Sequence, residues 1–203
     1  MTMSNDTRQS QSVYLVLDLI NDLVNAQGPG SAGAFAVQAR ERRVLDNTRT
    51  AIAKARDAGL RIGYVRVAYA PDYSTHSRPS PTYTRLSGTG MYKMGTWGTE
   101  VHPDIAPREG DWDFMKHRVS PFHGTSLDLF LRANDIQRIY CSGVSTNMVV
   151  QSLVREGVDR DYEMVVLEDC CSAMSAEEHL AAVQTLLRLA QFTTSDVVEF
   201  SHP

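Results

Sequence analysis

A strand, a tight turn and a helix follow one another in residues 139–156, and this corner constrains the fold more than any other stretch of the chain. It starts as an apolar run of strand character, breaks at Gly143, and continues from Val149 to Val154 with apolar residues at helical spacing. In open α/β sheets such a corner points the N–H groups of the first helical turn at whatever lies above the carboxyl end of the sheet. The stretch therefore predicts an α/β fold with a binding site at that edge.

Apolar runs with strand character alternate with amphipathic stretches along the rest of the chain. The predicted strands cover residues 13–17, 60–67, 112–116, 138–142, 163–169 and 192–200. One long amphipathic helix is predicted over residues 37–58, with Gly59 as its C-cap, and a capping box at Ser175 predicts the start of the last helix. The alternation predicts one Rossmann-like, three-layer α/β/α domain with a six-stranded, mainly parallel sheet over residues 12–203, preceded by a flexible arm at residues 1–11.

Composition and charge argue against several classes of partner. The formal net charge of −4 at pH 7 argues against a nucleic-acid-binding surface. No apolar run reaches the ~20 residues that span a bilayer, and the polar start of the chain has no signal-peptide core, so we expect no membrane partner. The cysteines, Cys141, Cys170 and Cys171, are odd in number and include an adjacent pair, which favours reduced thiols and a cytoplasmic location.

Sequence spacing gives little support for a cofactor. Gly28, Gly30 and Gly33 have the spacing of a dinucleotide-binding motif, but that motif needs its first glycine directly after a strand, and here Pro29 occupies the turn. We therefore predict a flexible loop rather than a nucleotide site. No set of His, Cys or acidic residues has metal-ligand spacing, and neither a metal nor another cofactor is predicted.

Charged side chains stand at the ends of two predicted strands. Asp18 follows the strand at residues 13–17 directly, and Lys116 ends the strand at residues 112–116. Because the carboxyl ends of parallel strands meet at one edge of a sheet, we expect both side chains to lie beside the corner at residues 144–149. A carboxylate and an ammonium held together favour each other's charged form, which predicts a site that includes Asp18 and Lys116. The alternative for Asp18 is a helix-capping or solvated carboxylate.

Residues 68–111 form the longest stretch without clear periodicity. A loop of this length inside a compact domain is usually functional, which predicts the wall and lid of a pocket for a small-molecule substrate. Candidate lining groups are Tyr73, Tyr83, Tyr92 and Trp97, together with Asn147 of the corner. An equally open reading is that the aromatic side chains pack the loop onto the domain or against another subunit.

The residues Gly143-Val144-Ser145-Thr146-Asn147-Met148-Val149-Val150 resemble the active-site corner of the isochorismatase-like cysteine hydrolases. Residues 17–22 are similar to the opening strand and catalytic aspartate of that family, residues 116–122 to its Lys-x-Arg-Tyr-Ser-Ala-Phe segment, and residues 168–173 to a segment after its fifth strand. The resemblance covers residues 13–200. It implies catalytic roles for Asp18 and Lys116, an oxyanion site at the backbone N–H groups of Ser145 and Val149, and a frequently cis bond between Val144 and Ser145. It also implies a homo-oligomer, a dimer or larger.

Val149 occupies the position at which the cysteine members of that family carry their nucleophile. Cys141 lies within the preceding predicted strand, and Cys170 and Cys171 follow another, so we expect all of them to be small buried residues. Three hypotheses stay open. The first is a hydrolase that uses Asp18, Lys116 and water on a vinyl ether or C–N bond. The second is a nucleophile-less relative, or substituted variant, of an amide or ureido hydrolase that binds ligand without turnover. The third is a non-catalytic interaction protein.

Overall fold

A single parallel sheet organises the part of the chain that the structure describes. The computed structural model describes residues 11–86 and 88–203, without the side chains of residues 82–84. The sheet has 6 strands in the order β3-β2-β1-β4-β5-β6, and each neighbouring pair is parallel. The strands are β1 (Ser12–Leu17), β2 (Arg61–Val67), β3 (Trp112–Lys116), β4 (Arg138–Val144), β5 (Glu163–Ser172) and β6 (Gln191–Thr193). The predicted six-stranded α/β sheet is confirmed.

Helices cover both faces of the sheet. They are α1 (Asn21–Val24), α2 (Ala34–Glu41), α3 (Val44–Asp57), α4 (Pro81–Leu86), α5 (Leu127–Ala133), α6 (Gln151–Val158) and α7 (Ala176–Leu186). Short 3-10 helices lie at Trp97–Thr99 and Pro103–Ile105, and a π-helical turn at Thr146–Val150 runs directly into α6. None of the helices in the described ranges combines the length and the apolar character that a membrane crossing requires.

Alternate side chains of β1 enter two separate cores. Tyr14 and Val16 pack on one face with Ile52 of α3, whereas Leu15 packs on the other face with Leu153 of α6. A strand that is apolar on both faces is typical of a parallel sheet covered by helices on both sides. Each fully buried side chain of this kind contributes about 1.5–3 kcal/mol, so the two cores fix the position of β1 at the centre of the sheet.

The single helix predicted over residues 37–58 is wrong in one respect, because the chain breaks between α2 and α3. Arg43 adopts a left-handed conformation with φ 54°, and the Arg42 guanidinium donates to the carbonyl of Cys171 at 2.8 Å and to the carboxylate of Glu168 at 2.8 Å. The helix is therefore interrupted where Arg42 makes tertiary contacts, and the apolar periodicity gives no sign of this interruption. The C-cap of α3 is Ala58, and Gly59, the predicted cap, follows it in the left-handed conformation with φ 77° that ends the helix.

The predicted strand ends also differ from the structure. Strands β4 and β5 run to Val144 and Ser172, further than predicted, while β6 ends at Thr193 instead of reaching residue 200. The chain leaves the sheet after β6 because Ser195 donates its N–H and its hydroxyl to the carboxylate of Asp169, at 2.9 and 2.6 Å. The predicted arm at residues 1–11 lies outside the described residues except for Gln11.

The glycines at residues 28–33 pack against a helix. A Cβ on Gly28 would stand 2.3 Å from the carbonyl oxygen of Asn21, and one on Gly30 would stand 2.2 Å from that of Asp22. Both positions therefore need glycine for close contact between the backbone of this loop and α1. This packing accounts for two of the glycines in the dinucleotide-like spacing.

Strand order reverses between β1 and β4. From β1 the chain builds outward through β2 to β3, and from β4 it builds outward on the other side through β5 to β6. In open α/β sheets, ligands bind at such a reversal, outside the carboxyl ends of the strands. Asp18 and the π-helical corner follow the two central strands directly, so the fold places both at this position.

Candidate active site

Backbone contacts hold the Asp18 carboxylate over the ends of β1 and β2. Its N–H donates to the carbonyl of Val65 at 2.8 Å, and its Oδ1 accepts the N–H of Val67 at 2.6 Å. Asp18 has φ 54°, a left-handed conformation that aspartate tolerates better than most residues. The side chain is therefore fixed across the end of β2, pointing toward β3.

Lys116 reaches the same carboxylate from the end of β3. Its Nζ lies 2.9 Å from Asp18 Oδ2 and donates to the carbonyl of Arg118 at 3.1 Å. Asp18 is 4% exposed and Lys116 is 2% exposed, so solvent screens their attraction little. The structure thus brings together the two residues that the sequence places at separate strand ends.

Burial and charge act on Asp18 in opposite directions. Burial raises the pKa of the Asp18 carboxyl, while the charge of Lys116 and the hydrogen bonds from Lys116 and Val67 offset part of that increase. A carboxylate with a raised pKa is a stronger proton acceptor than one in water. This pair can therefore exchange a proton with a bound molecule or with water.

The end of β4, which leads into the corner, approaches β1 very closely. Gly143 has φ 140°, and a Cβ at this position would stand 2.0 Å from the carbonyl oxygen of Leu17. The peptide bond between Val144 and Ser145 is cis, which agrees with the implication of the family resemblance. The N–H groups of Met148 and Val150 donate to the Ser145 carbonyl at 3.2 and 3.3 Å as the π-helical turn begins. Only glycine fits at residue 143, so the corner is pressed against the strand that carries Asp18.

A largely apolar cavity lies above this edge, with an empty volume of about 550 Å³ that includes the part open to solvent. Its charged lining groups in the described part of the chain are Asp18 and Lys116, and Val149 faces it from the corner. The remaining lining residues are Leu23, Phe35, Val67, Tyr69, Leu86, Tyr92, Val119, Val144, Ser145 and Met148. The ion pair therefore stands in the wall of a small apolar pocket.

Among the predicted lining groups, Tyr92 faces the cavity and three others lie outside its lining. The Tyr73 hydroxyl donates to the carbonyl of Met91 at 2.9 Å, and Trp97 is 45% exposed. The side-chain amide of Asn147 donates to Glu178 of α7 at 3.1 Å. The side chain of Tyr83 lies outside the described part of the structure.

The cysteines do not supply a substitute nucleophile at this site. Cys141, Cys170 and Cys171 are buried, as expected, and none of them is among the residues that line the cavity. Burial raises the pKa of all three thiols, that of Cys171 to about 12 and those of Cys141 and Cys170 well above the ordinary value. A thiol that stays protonated is a poor nucleophile, so none of the three is prepared for attack.

A second buried carboxylate, Asp22, organises the lid, and sequence reasoning gave it no role. Its Oδ2 accepts the N–H of Tyr92 at 2.6 Å, and its carboxylate fills the space where a Cβ of Gly98 would stand, 2.3 Å from Oδ1. Burial raises the pKa of Asp22, and the Tyr92 N–H offsets part of that effect. Asp22 belongs to the segment at residues 17–22 that resembles the family. Nothing in that segment indicates that the loop at residues 91–99 folds over the Asp22 carboxylate.

Comparison with known proteins identifies the family. The isochorismatase domain model matches residues 12–197. Ureidoacrylate amidohydrolase RutB of Klebsiella pneumoniae is 32% identical over 207 aligned positions, which cover 95% of this chain and 86% of that protein. RutB of Methylorubrum extorquens is 30% identical over 170 positions, which cover 78% of this chain and 68% of that protein.

Solved structures agree with this assignment. The structure of N-carbamoylsarcosine amidase from Thermoplasma acidophilum superposes with a TM-score of 0.75 at 26% identity, covering 93% of this chain and 99% of that one. A cysteine hydrolase from Pseudomonas syringae superposes with a TM-score of 0.81 at 23% identity, covering 92% and 89%, and shares the fold. The chain therefore belongs to the isochorismatase-like hydrolase superfamily.

Proposed function

We propose that the protein hydrolyses a C–N bond of a small, uncharged and largely apolar amide or ureido compound, with Asp18 and Lys116 activating water. The observation that carries the proposal is the buried ion pair, at 2.9 Å, in the wall of an apolar cavity that Val149 also faces. A valine side chain offers no nucleophile, so a reaction at this site has to proceed without a covalent intermediate on residue 149.

The reaction then requires one proton acceptor that later becomes a donor. The Asp18 carboxylate takes a proton from water while the water oxygen bonds to the substrate carbonyl carbon. The protonated Asp18 next gives that proton to the substrate nitrogen as the C–N bond breaks, which yields a carboxylic or carbamic acid and an amine. Lys116 keeps its positive charge and holds the carboxylate in place between the two transfers.

Negative charge develops on the carbonyl oxygen during water attack. The backbone N–H groups of Ser145 and Val149 are the proposed donors to this oxyanion, because both residues face the cavity beside the ion pair. In this geometry the corner supplies the oxyanion site and the ends of β1 and β3 supply the proton transfer.

The lining favours an uncharged substrate. Lys116 is the cationic side chain in the described lining of the cavity, and Asp18 already neutralises it. A substrate with free carboxylates, such as a chorismate-type vinyl ether, would enter this apolar cavity without a partner for its charge. The names of the relatives, ureidoacrylate amidohydrolase and N-carbamoylsarcosine amidase, also support C–N chemistry over vinyl ether hydrolysis. Both named compounds carry a carboxylate, so they support the proposed bond, and the lining alone supports the uncharged substrate.

Val149 also favours a second candidate function, binding without turnover. A relative of the amide-cleaving enzymes that lacks the nucleophile would keep the cavity, the ion pair and the oxyanion donors and still bind a carbonyl compound. The two candidates share their ligand class and differ in what happens to the bound molecule.

A mass-spectrometric turnover screen separates these candidates. The protein and its Val149→Cys variant are exposed in parallel to small neutral amides, small neutral ureido compounds, ureidoacrylate and isochorismate. We expect the protein to turn over a ureido or amide compound. Turnover by the variant alone would replace the proposal with the binding function, and turnover of isochorismate alone would reassign the bond that is cleaved. If the protein neither binds nor converts any of these compounds, only the hypothesis of a non-catalytic interaction protein would remain.

Assembly and cellular location belong to the same proposal. We infer a homo-oligomer, a dimer or larger, that acts in the cytoplasm, on the basis of the family and of the reduced, buried cysteines. Light scattering on the purified protein measures the assembly, and a monomeric mass at micromolar concentration would contradict it.

A further inference from the structure

A buried chain of polar side chains connects the corner to α7 and β5. Thr146 Oγ1 lies 2.8 Å from His179 Nδ1, and His179 Nε2 lies 2.6 Å from Glu168 Oε1. Arg42 holds the same carboxylate oxygen from the other side at 2.8 Å. Thr146 and His179 are both 0% exposed, although Thr146 begins the turn that forms one wall of the cavity.

The chemistry of these groups sets the direction of the hydrogen bonds. The Arg42 guanidinium lies 2.8 Å from the Glu168 carboxylate and favours its ionised form, which can only accept hydrogen bonds. His179 therefore carries a proton on Nε2, and in the neutral ring Nδ1 is the acceptor for the Thr146 hydroxyl. Each member of the chain is then satisfied by the next one.

A hydroxyl, an imidazole and a carboxylate in this order have the pattern of a catalytic triad, but the position of Thr146 excludes that role. Its side chain is fully buried and is not among the groups that line the cavity. A nucleophile must reach the substrate, whereas this hydroxyl points away from the cavity to α7. The chain therefore acts on the corner itself.

The first turn of α7 also holds the next residue of the corner. Glu178 accepts the side-chain amide of Asn147 at 3.1 Å and the N–H of Met174 at 3.3 Å. Consecutive residues of α7, Glu178 and His179, thus bind consecutive residues of the corner. Two adjacent attachments fix both the position and the rotation of the π-helical turn.

We propose that His179 is a positioning residue, which holds the Thr146 hydroxyl and thereby fixes the backbone N–H groups of Ser145 and Val149 toward the substrate. The link to catalysis rests on the proposed function, but the link to the conformation of the corner does not. Because a displacement of about 1 Å at a reacting centre can lower a rate about 100-fold, a small movement of this turn is sufficient to matter.

Two matched pairs of variants test the chain. Thr146→Val keeps the shape of the side chain and removes the hydroxyl, and Thr146→Ser keeps the hydroxyl. His179→Asn places a side-chain amide where Nδ1 lies and keeps a partner for Thr146, while His179→Gln places it where Nε2 lies and keeps a partner for Glu168. If the Thr146 contact matters, Val and Gln are the damaging substitutions and Ser and Asn are the tolerated ones.

Hydrogen exchange of the native protein gives a readout that does not depend on activity. In Thr146→Val and His179→Gln we expect amide exchange in residues 144–151 to accelerate about five- to tenfold, which corresponds to the loss of one buried hydrogen bond. Exchange in α3 should stay unchanged, and Thr146→Ser and His179→Asn should stay close to the native protein. A general loss of stability would instead accelerate exchange in α3 as well, and would overturn the proposal.

Kinetics on the best substrate of the turnover screen gives the second readout. We expect kcat to fall about 10- to 100-fold in Thr146→Val and His179→Gln, with KM changed by less than about threefold, since the donors act mainly in the transition state. Native kcat together with native exchange in both variants would overturn the positioning role while leaving the proposed function intact. If the native protein turns over no substrate, the proposed function fails, and the exchange data still decide whether His179 holds the corner.

Discussion

The two sides of the cavity are built in different ways. The floor consists of Asp18, which follows β1, Lys116, which ends β3, and the corner, which follows β4. The opposite side, called the lid side, combines apolar groups of the loop at residues 68–111, such as Leu86, with groups of other short helices, such as Phe35 of α2. The charged side chains, which need a fixed geometry, are thus held at strand ends, and apolar side chains that exclude water lie on the segments that connect the strands. Under the proposed function, we therefore expect the chemistry to belong to the floor and substrate choice to the lid.

The two sides also differ in how they are held. Asp18 is fixed by the backbone of β2 through Val65 and Val67, so it moves only if the sheet moves. The lid is held by hydrogen bonds from side chains and loops, among them the Asp22 carboxylate on the N–H of Tyr92 at 2.6 Å and the Arg118 guanidinium on the carbonyl of Thr75 at 2.6 Å. Substitutions on the floor should therefore change the rate of reaction or the stability of the fold, and substitutions on the lid should change affinity.

Replacing Asp18 tests the floor with the largest expected effect. Asp18→Asn keeps a residue that tolerates the left-handed backbone and removes the proton acceptor, so kcat should fall about 100- to 10,000-fold. Steady-state kinetics on the best substrate of the screen measures the loss. Asp113→Asn is the matched control, because Asp113 also pairs with a cation, Arg66, but lies on the exposed side of β3. Equal activity in both variants would remove Asp18 from the mechanism.

Adding a methyl group tests how rigid the floor is. Gly143→Ala should lower the free energy of unfolding by about 3 kcal/mol or more, because the new Cβ meets the carbonyl of Leu17 and φ is unfavourable for alanine. Gly88→Ala on the lid should change it by less than about 0.5 kcal/mol, since nothing lies within 4 Å of a Cβ there. Urea denaturation measures both values. Similar losses at the two positions would show that the floor is no more constrained than the lid.

Truncation of an apolar lid residue tests substrate choice. Phe35→Ala should raise KM about tenfold and leave kcat nearly unchanged, because it removes apolar contact that substrate and transition state share. Trp97→Ala should leave KM unchanged, since Trp97 is 45% exposed and outside the lining of the cavity. A larger change in kcat than in KM for Phe35→Ala would place the lid in the chemical step.

The pH dependence gives the smallest expected effect. Burial raises the pKa of Asp18 above its ordinary value of 3.8, so the acid limb of kcat/KM should have its midpoint above pH 3.8. The folded chain then binds this proton more tightly than the unfolded chain. Ionised Asp18 therefore lowers the free energy of unfolding at neutral pH, and this loss becomes smaller as the pH falls through the raised pKa. Titration of kcat/KM measures the midpoint, and a limb at or below pH 3.8 would contradict the direction.

The sequence predicts the floor well because each of its residues is tied to a strand end. Asp18, Lys116 and Gly143 follow or interrupt apolar runs, and the parallel sheet brings such positions to one edge whatever the intervening loops do. The residue types also matter, since a charged side chain at the end of a buried strand is rare unless it is paired. Local pattern and sheet topology are together sufficient for this half of the site.

Tertiary contacts determine the rest of the site, and they leave no periodic signal. The break between α2 and α3 coincides with the contacts of Arg42 to β5, and Asp22 reaches Tyr92 across 70 positions of sequence. His179 reads as an ordinary residue of an amphipathic helix until the structure places it beside Thr146. The aromatic residues Tyr73 and Trp97 are indistinguishable from Tyr92 in sequence, but the fold of the loop leaves them outside the cavity lining.

Intact-protein mass spectrometry during turnover tests the central claim most directly. The protein and Val149→Cys are each mixed with the best ureido or amide substrate. Samples are quenched in acid at intervals, and the intact mass of the protein is measured. If Asp18 and Lys116 direct water onto the substrate, the native protein forms product while its mass stays unmodified at every time, and only the cysteine variant gains the mass of an acyl group. An acyl adduct on the native protein, or product formation by the cysteine variant alone, would contradict cysteine-free hydrolysis.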